Sequence, residues 1–221
     1  MTERYLCPRC VVQLNRVIDW DWSTNRRIIF WREHQALQRM GAFAYFKRGG
    51  LVANIIHHLK YFGQPELGVW IGRLAASELE DSGLFDGIDV LIPIPLTRRR
   101  QWHRGFNQAE RIAAGIGEKL HIPVDEKVLK RLYNRESQTH FTLQQRLTNA
   151  RHVFGLRKGA EEKLTGKHVM IIDDVMTTGT TMLGAVEAME AVSDVKISTF
   201  TWSWVHLPDK LITEYAAVPE A

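Results

Sequence analysis

An α/β fold, a parallel sheet flanked by helices, is the architecture this sequence predicts, and three observations carry it. Val169, Met170, Ile171 and Ile172 form an unbroken apolar run, the pattern of a strand buried on both faces. A second short run of this kind, VLIP, covers Val90 to Pro93. Between and around them lie segments whose apolar residues recur at helical spacing, at 51–61 and 107–120. A chain of 221 residues with 45% hydrophobic residues has enough apolar material for one such domain with an appendage.

In chain order, Cys7-Pro8-Arg9-Cys10 is a C-x-x-C knuckle. Structural zinc takes four ligands, commonly from two such knuckles, and no second pair follows. A site shared between two chains, a redox pair and a remnant without metal are the alternatives, and the remnant is favoured. Residues 11–40, with Trp20, Trp22 and Trp31, show no clean period and are read as a packed arm or short helix. Ala42 to Phe46 alternates weakly, as a strand would. From Leu51 to Tyr61 the residues Leu51, Val52, Ile55, Ile56 and Leu59 share a helix face, and His57, His58 and Lys60 fall on a solvated one. Gly63, Pro65 and Gly68 punctuate, and a second helix is expected from Leu67 to Asp81.

The strand at Asp89 to Pro93 leads into a loop crowded with Arg98, Arg99, Arg100, His103 and Arg104 and ending at Gly105. Guanidinium forks match phosphate oxygens, so such a cluster after a strand points to a diphosphate or to nucleic acid. A helix follows from Asn107 to Leu120. Residues 131–151 are polar, basic and without period; they separate strand-like segments around Val128 and Val153 and are read as a loop of the active-site-lid kind. Lys196 to Trp204 is expected to be a closing strand, and the tail from Leu207 onward to be peripheral.

The chemistry concentrates in HVMIIDDVMTTGTT, from His168 to Thr181. Asp173 and Asp174 follow the buried strand. Thr177, Thr178, Gly179, Thr180 and Thr181 then open a helix carrying Ala185, Val186, Met189 and Val192 on one side. A glycine-containing, hydroxyl-rich turn at a helix start presents unpaired N–H groups and the positive end of the helix dipole, which suits phosphate. The two acids would repel that phosphate and suit hydroxyl groups or a hydrated Mg²⁺ instead. A phosphate beside vicinal hydroxyls is a ribose 5-phosphate. No lysine follows the glycine as a Walker loop requires, and no G-x-G-x-x-G is present.

Net charge is +4 and the pI about 9.1, which accords with phosphorylated ligands or nucleic acid. No apolar run reaches the roughly 18 residues of a membrane span. The first residues lack the apolar core of a secretory signal, and cytoplasm is the expected location.

IIDDVMTTGTT resembles the phosphoribosyl diphosphate (PRPP) motif of type I phosphoribosyltransferases. Three further blocks, HLKYFGQPELG (58–68), PIPLTRRRQWHRGFNQAE (93–110) and QTHFTLQQRLTNARHVF (138–154), stand in the order seen in the ComF/GntX family. The resemblance covers about residues 40–205. It departs at Thr97, Trp102 and Phe141, where His, Arg and Leu are common, and in the zinc ribbon, of whose four cysteines only Cys7 and Cys10 are matched.

This resemblance implies a type I phosphoribosyltransferase fold divided into an N-terminal arm (1–35) with half a zinc ribbon, a hood (36–84), a core (85–205) and a tail (206–221). It implies Asp173 and Asp174 as catalytic, with residues 177–181 on the 5-phosphate. Arg99, Arg100, Arg104 and Gly105 would hold the diphosphate, Arg104 and Gly105 lying nearest the ligand. Gln138, Thr139, Arg146 and Asn149 would belong to the lid. Mg²⁺ is the expected cofactor of PRPP, and a link to DNA uptake in natural transformation is implied. Two functions stay open: a phosphoribosyl transfer enzyme, or a PRPP-sensing module that binds single-stranded DNA for an import helicase. In the second, Arg98 and Trp102 would touch DNA, and Trp102, Tyr133 or Phe141 could stack on bases.

Overall fold

The computed structural model describes residues 5–17, 34–132 and 153–205. Trp20, Trp22 and Trp31, the four lid residues with Tyr133 and Phe141, and the tail lie outside the described residues. The elements in order are α1 (Pro8–Val12), β1 (Leu37–Phe46), α2 (Leu51–Tyr61), α3 (Pro65–Leu79), β2 (Val90–Pro93), α4 (Arg98–Arg104), α5 (Gln108–Leu120), β3 (Leu129–Arg131), β4 (Phe154–Leu156), α6 (Ala160–Leu164), β5 (His168–Met176), α7 (Thr180–Met189) and β6 (Lys196–Val205). A short 3-10 turn, Glu80–Ser82, ends α3.

Among the described residues the main sheet has four strands in the order β1-β6-β5-β2, and every pairing between them is parallel. All strand C-termini therefore share one edge, the edge at which open α/β sheets bind ligands. One face packs Met170, Ile172, Phe200 and Trp202 against the apolar stripes of α2, α3 and α5. The other packs Val169, Ile171, Met40 and Ala42 against Met182, Val186 and Met189 of α7. Burial on both faces is why β5 reads as a continuous apolar run.

The stripe of α2 is as the period predicts, with Val52, Ile55, Ile56 and Leu59 buried. Helix α3 starts at Pro65, where the missing N–H is no loss. It crosses α5 at backbone contact: a Cβ on Gly72 would meet the Ile112 carbonyl oxygen, and one on Gly115 the Val69 carbonyl oxygen. Residues 5–17 pack as an arm. Leu14 and Val17 are buried, Tyr5 lies 5.8 Å from the Trp70 ring, and Arg16 grips the Glu78 carboxylate with two nitrogens.

Three expectations change. The arginine-rich segment is not a loop but the helix α4: Thr97 caps it by accepting from the Arg100 N–H at 3.2 Å, and Gly105 ends it at φ 77°. Strand β6 is the last of the described strands in sequence but lies inside the sheet between β1 and β5. Its hydroxyl side chains Ser198, Thr199, Thr201 and Ser203 are buried along with its aromatic ones, so both faces are covered. Strand β1 begins at Leu37 and pairs along its length with β6, so the segment assigned to a hood from 36 to 84 supplies a strand of the main sheet.

Candidate functional site

The site begins where two paired strands part. Strand β2 runs beside β5 only as far as the pair Pro93 and Ile172, and the Ile94 N–H makes a last bond to the Ile172 carbonyl at 2.9 Å. Proline at 95 then turns the chain away, while β5 continues along β6 to Met176. Asp173 and Asp174 are thus the first residues of β5 beyond the end of β2. A crevice opens next to them because the neighbouring strand has stopped.

Alternation along a strand sends successive side chains to opposite faces. Asp174, two residues after Ile172, points to the α2 side, where the Lys60 ammonium lies 2.7 Å from its Oδ2. The contact is one of charge with charge, and no hydrogen bond to Oδ2 is made among the described residues. Asp173 is half-buried and accepts the Asp174 N–H at 2.8 Å. Its carboxyl is pushed up to about 7, first by burial and next by the Asp174 charge, with Lys60 acting in the other direction.

Arg131, at the end of β3, lies within electrostatic reach of both Asp173 and Arg100. Burial and the Arg100 charge lower its pKa, and Asp173 opposes them. Its guanidinium lies over the Phe154 ring at 5.0 Å, and its Nε has no hydrogen-bond partner among the described residues. The short β3–β4 ribbon, pairing Arg131 with Phe154, therefore brings a cation to the acid pair that sequence reasoning left unnamed.

One turn past the acids, Gly179 adopts φ 84° and precedes α7, and no side chain caps that helix. The Thr178 and Thr180 hydroxyls lie 3.3 Å apart across the glycine. Thr177 is exposed, Thr178, Thr180 and Thr181 are half-buried, and Gly179 is buried. The open N–H groups of a ten-residue helix, ringed by hydroxyls, are competent to hold a phosphate.

The arginines divide. Arg98, Arg99, Arg100 and Trp102 are exposed on α4, Trp102 to 84%. Arg104 is half-buried; it donates to the Gln108 amide oxygen at 2.8 Å and lies 5.8 Å from the Tyr61 ring centre. Behind it, Asn107 is 1% exposed and anchors the turn three ways. Its Oδ1 accepts the Ala109 N–H, and its Nδ2 donates to the Ile94 carbonyl and to Glu110. Asn107 thereby ties α5 to the end of β2, giving a structural reason for a residue that stood in the sequence only as part of a block.

Cys7 precedes α1 and Cys10 lies within it, both as free thiols. Hydrogen bonds from Cys10 lower the Cys7 pKa, and the same contact raises that of Cys10. Among the described residues no group of three or more His, Cys, Asp or Glu could enclose a metal ion. Two carboxylates do suit a hydrated Mg²⁺ that keeps several waters and shares a ligand's phosphates. No helix among the described residues is long and apolar enough to cross a membrane.

Comparison with known proteins shows which family the chain belongs to. The phosphoribosyl transferase domain family matches residues 61–201. The DNA utilization protein YhgH of Escherichia coli O157:H7 is 31% identical over 131 residues, which are 58% of this chain and 56% of that protein. The competence protein ComFC of Bacillus subtilis (strain 168) is 34% identical over 113 residues, 51% of this chain and 43% of that one. The chain thus aligns with about half the length of these relatives. Among solved structures, glutamine phosphoribosylpyrophosphate amidotransferase from B. subtilis, complexed with ADP and GMP, superposes with a TM-score of 0.43 at 18% identity, over 66% of this chain and 30% of that one. The chain belongs to the phosphoribosyl transferase domain family and, with its relatives named for competence and DNA utilization, to the ComF family within it.

Proposed function

We propose that the chain binds PRPP with Mg²⁺ at the C-terminal edge of the sheet and transfers its phosphoribosyl group to an acceptor, in the service of DNA uptake and use. One observation carries the reading: the Asp173–Asp174 pair stands where β2 ends, a turn before the uncapped, glycine-opened start of α7. A ribose with a 5-phosphate fits that order of groups.

Residues 177–181 would hold the 5-phosphate, and Asp173 and Asp174 would face the ribose hydroxyls. Arg99, Arg100, Arg104 and Gly105 would serve the diphosphate, with Arg131 beside them. Arg98–Arg100 stand in the first turn of a helix, a turn that itself carries no acidic residue, and cations there are disfavoured by the helix dipole. In the transfer, a lone pair of the acceptor forms a bond to the ribose anomeric carbon. The bond from that carbon to the diphosphate oxygen breaks, and its electrons leave with diphosphate. Carboxylates near the ring favour its developing positive charge, and arginines favour the departing negative charge. Mg²⁺ would neutralise part of the diphosphate charge.

The second reading, a PRPP sensor that holds single-stranded DNA for an import helicase, is favoured by the exposed Arg98 and Trp102 on α4. Both readings place the protein in the cytoplasm. Calorimetry of the full chain with PRPP and Mg²⁺ tests the shared part. Gly179→Val should abolish PRPP binding in a folded protein, because a β-branched residue resists φ 84° and its side chain blocks the phosphate. Asp173→Asn should lose the Mg²⁺-dependent part of the affinity and weaken metal-free ribose 5-phosphate less. Absence of PRPP binding by the wild type, or full affinity in Gly179→Val, would overturn the assignment.

A further inference from the structure

Lys60 belongs to the polar side of α2 by helical period, yet its side chain is only 21% exposed and meets Asp174, itself 12% exposed. Its neighbours His57, His58, Tyr61 and Phe62 are exposed, and His58 stacks on Phe62 at 4.3 Å. The lysine alone of this group turns into the crevice. Because Asp174 Oδ2 has no hydrogen-bond donor among the described residues, the ammonium is the charge on which that buried oxygen depends. A buried carboxylate stripped of its one counter-charge is strongly disfavoured.

Two bare adjacent carboxylates at the mouth of a crevice would attract any divalent cation in the surrounding solution. The ammonium changes that balance. It neutralises Asp174 from the α2 side, while Asp173 lies within electrostatic reach of Arg131.

We infer that Lys60 is a specificity-determining residue of this site: its ammonium occupies Asp174 as a built-in counter-cation and keeps free divalent metal off that carboxylate. The inference rests on reading the crevice as the PRPP site. It also explains why α2 is fixed to the sheet edge at its last turn, since the contact joins the end of the helix to the end of β5. No new group is needed, because the lysine stands in for the positive charge that metal would otherwise supply.

The test uses Mn²⁺ alone, in place of Mg²⁺, with bound metal measured by electron paramagnetic resonance on the full chain. Lys60→Gln should bind Mn²⁺ about tenfold tighter than the wild type, since it exposes a second carboxylate charge. Lys60→Arg should behave as the wild type, and Lys60→Gln/Asp174→Asn should return to within about threefold of it. Equal affinity in the wild type and Lys60→Gln, or the same gain with and without Asp174, would overturn the inference. Should Lys60→Gln fail to fold, Lys60→Met decides it: it should show the same gain in Mn²⁺ affinity, and an affinity equal to that of the wild type would overturn the inference. PRPP is titrated separately: a wild type that does not bind it refutes the proposed function, while the Mn²⁺ pattern reports on Lys60 by itself.

Discussion

At the scale of single residues, buried charge is where the sequence hides most. His168 opens β5 with Nε2 at 2.9 Å from the Ser198 hydroxyl and Nδ1 at 3.5 Å from Arg39. Burial, then the charges of Arg39 and Lys196, lower its pKa below the ordinary 6.5, and Asp89 opposes them. A histidine depressed in the fold takes up its proton more readily when unfolded. Its contribution to stability is therefore whole above pH 6.5 and is lost as the pH falls through the folded value. Between pH 7.5 and pH 5.5 the wild type should lose more stability than His168→Gln, as urea midpoints at the two pH values would show; parallel losses would refute it. Nothing in the sequence singled out this histidine. Lys60 is the same case: helical period showed only that it lies outside the apolar stripe, because its partner comes from a strand far along the chain. Asp173, Asp174 and Gly179 were legible because their chemistry is local, an acid pair and a glycine between a buried strand and a helix.

Elements were legible in proportion to their period. Helix α2 has the predicted bounds, and α5 differs only in that Asn107 is its cap. Helix α4 was invisible because seven residues give no stripe, and three arginines at its start contradict the dipole rule. The first half of β1, Leu37 to Gly41, was missed because Gln38 and Arg39 interrupt its apolar pattern at the edge of the sheet. The contact between α3 and α5 was also beyond the sequence, although its glycines were in view. At Gly72 and Gly115 each helix lies against the other's carbonyl oxygens, which cannot move without breaking helical hydrogen bonds. Gly72→Ala and Gly115→Ala should each cost about 3 kcal/mol, the upper end for overpacking. The exposed Ser77→Ala on the same helix should stay within about 0.5 kcal/mol. Denaturant midpoints measure all three, and a tolerant Gly72→Ala would mean that the crossing can open.

For the molecule as a whole, the question is which ligand owns the positive charge on α4. A net charge of +4 is modest, so DNA affinity would have to come from clustered cations rather than from the overall field. Arg98 is exposed on α4, as is the Trp102 ring, which could stack on bases. Arg100 also lies within electrostatic reach of Arg131, and Arg104 is tied to Gln108. If single-stranded DNA binds, log affinity should fall with log salt at a slope of about −0.7 per phosphate contact. Arg98→Ala should flatten that slope by about one such step, equally for all base sequences, and leave PRPP affinity intact. Arg100→Ala should weaken PRPP and leave the DNA slope nearly unchanged. Filter binding of both variants against both ligands, at two salt concentrations, separates these outcomes. Equal losses for the two variants on both ligands would mean that α4 acts as one undivided anion site, with DNA phosphate and diphosphate competing for the same arginines.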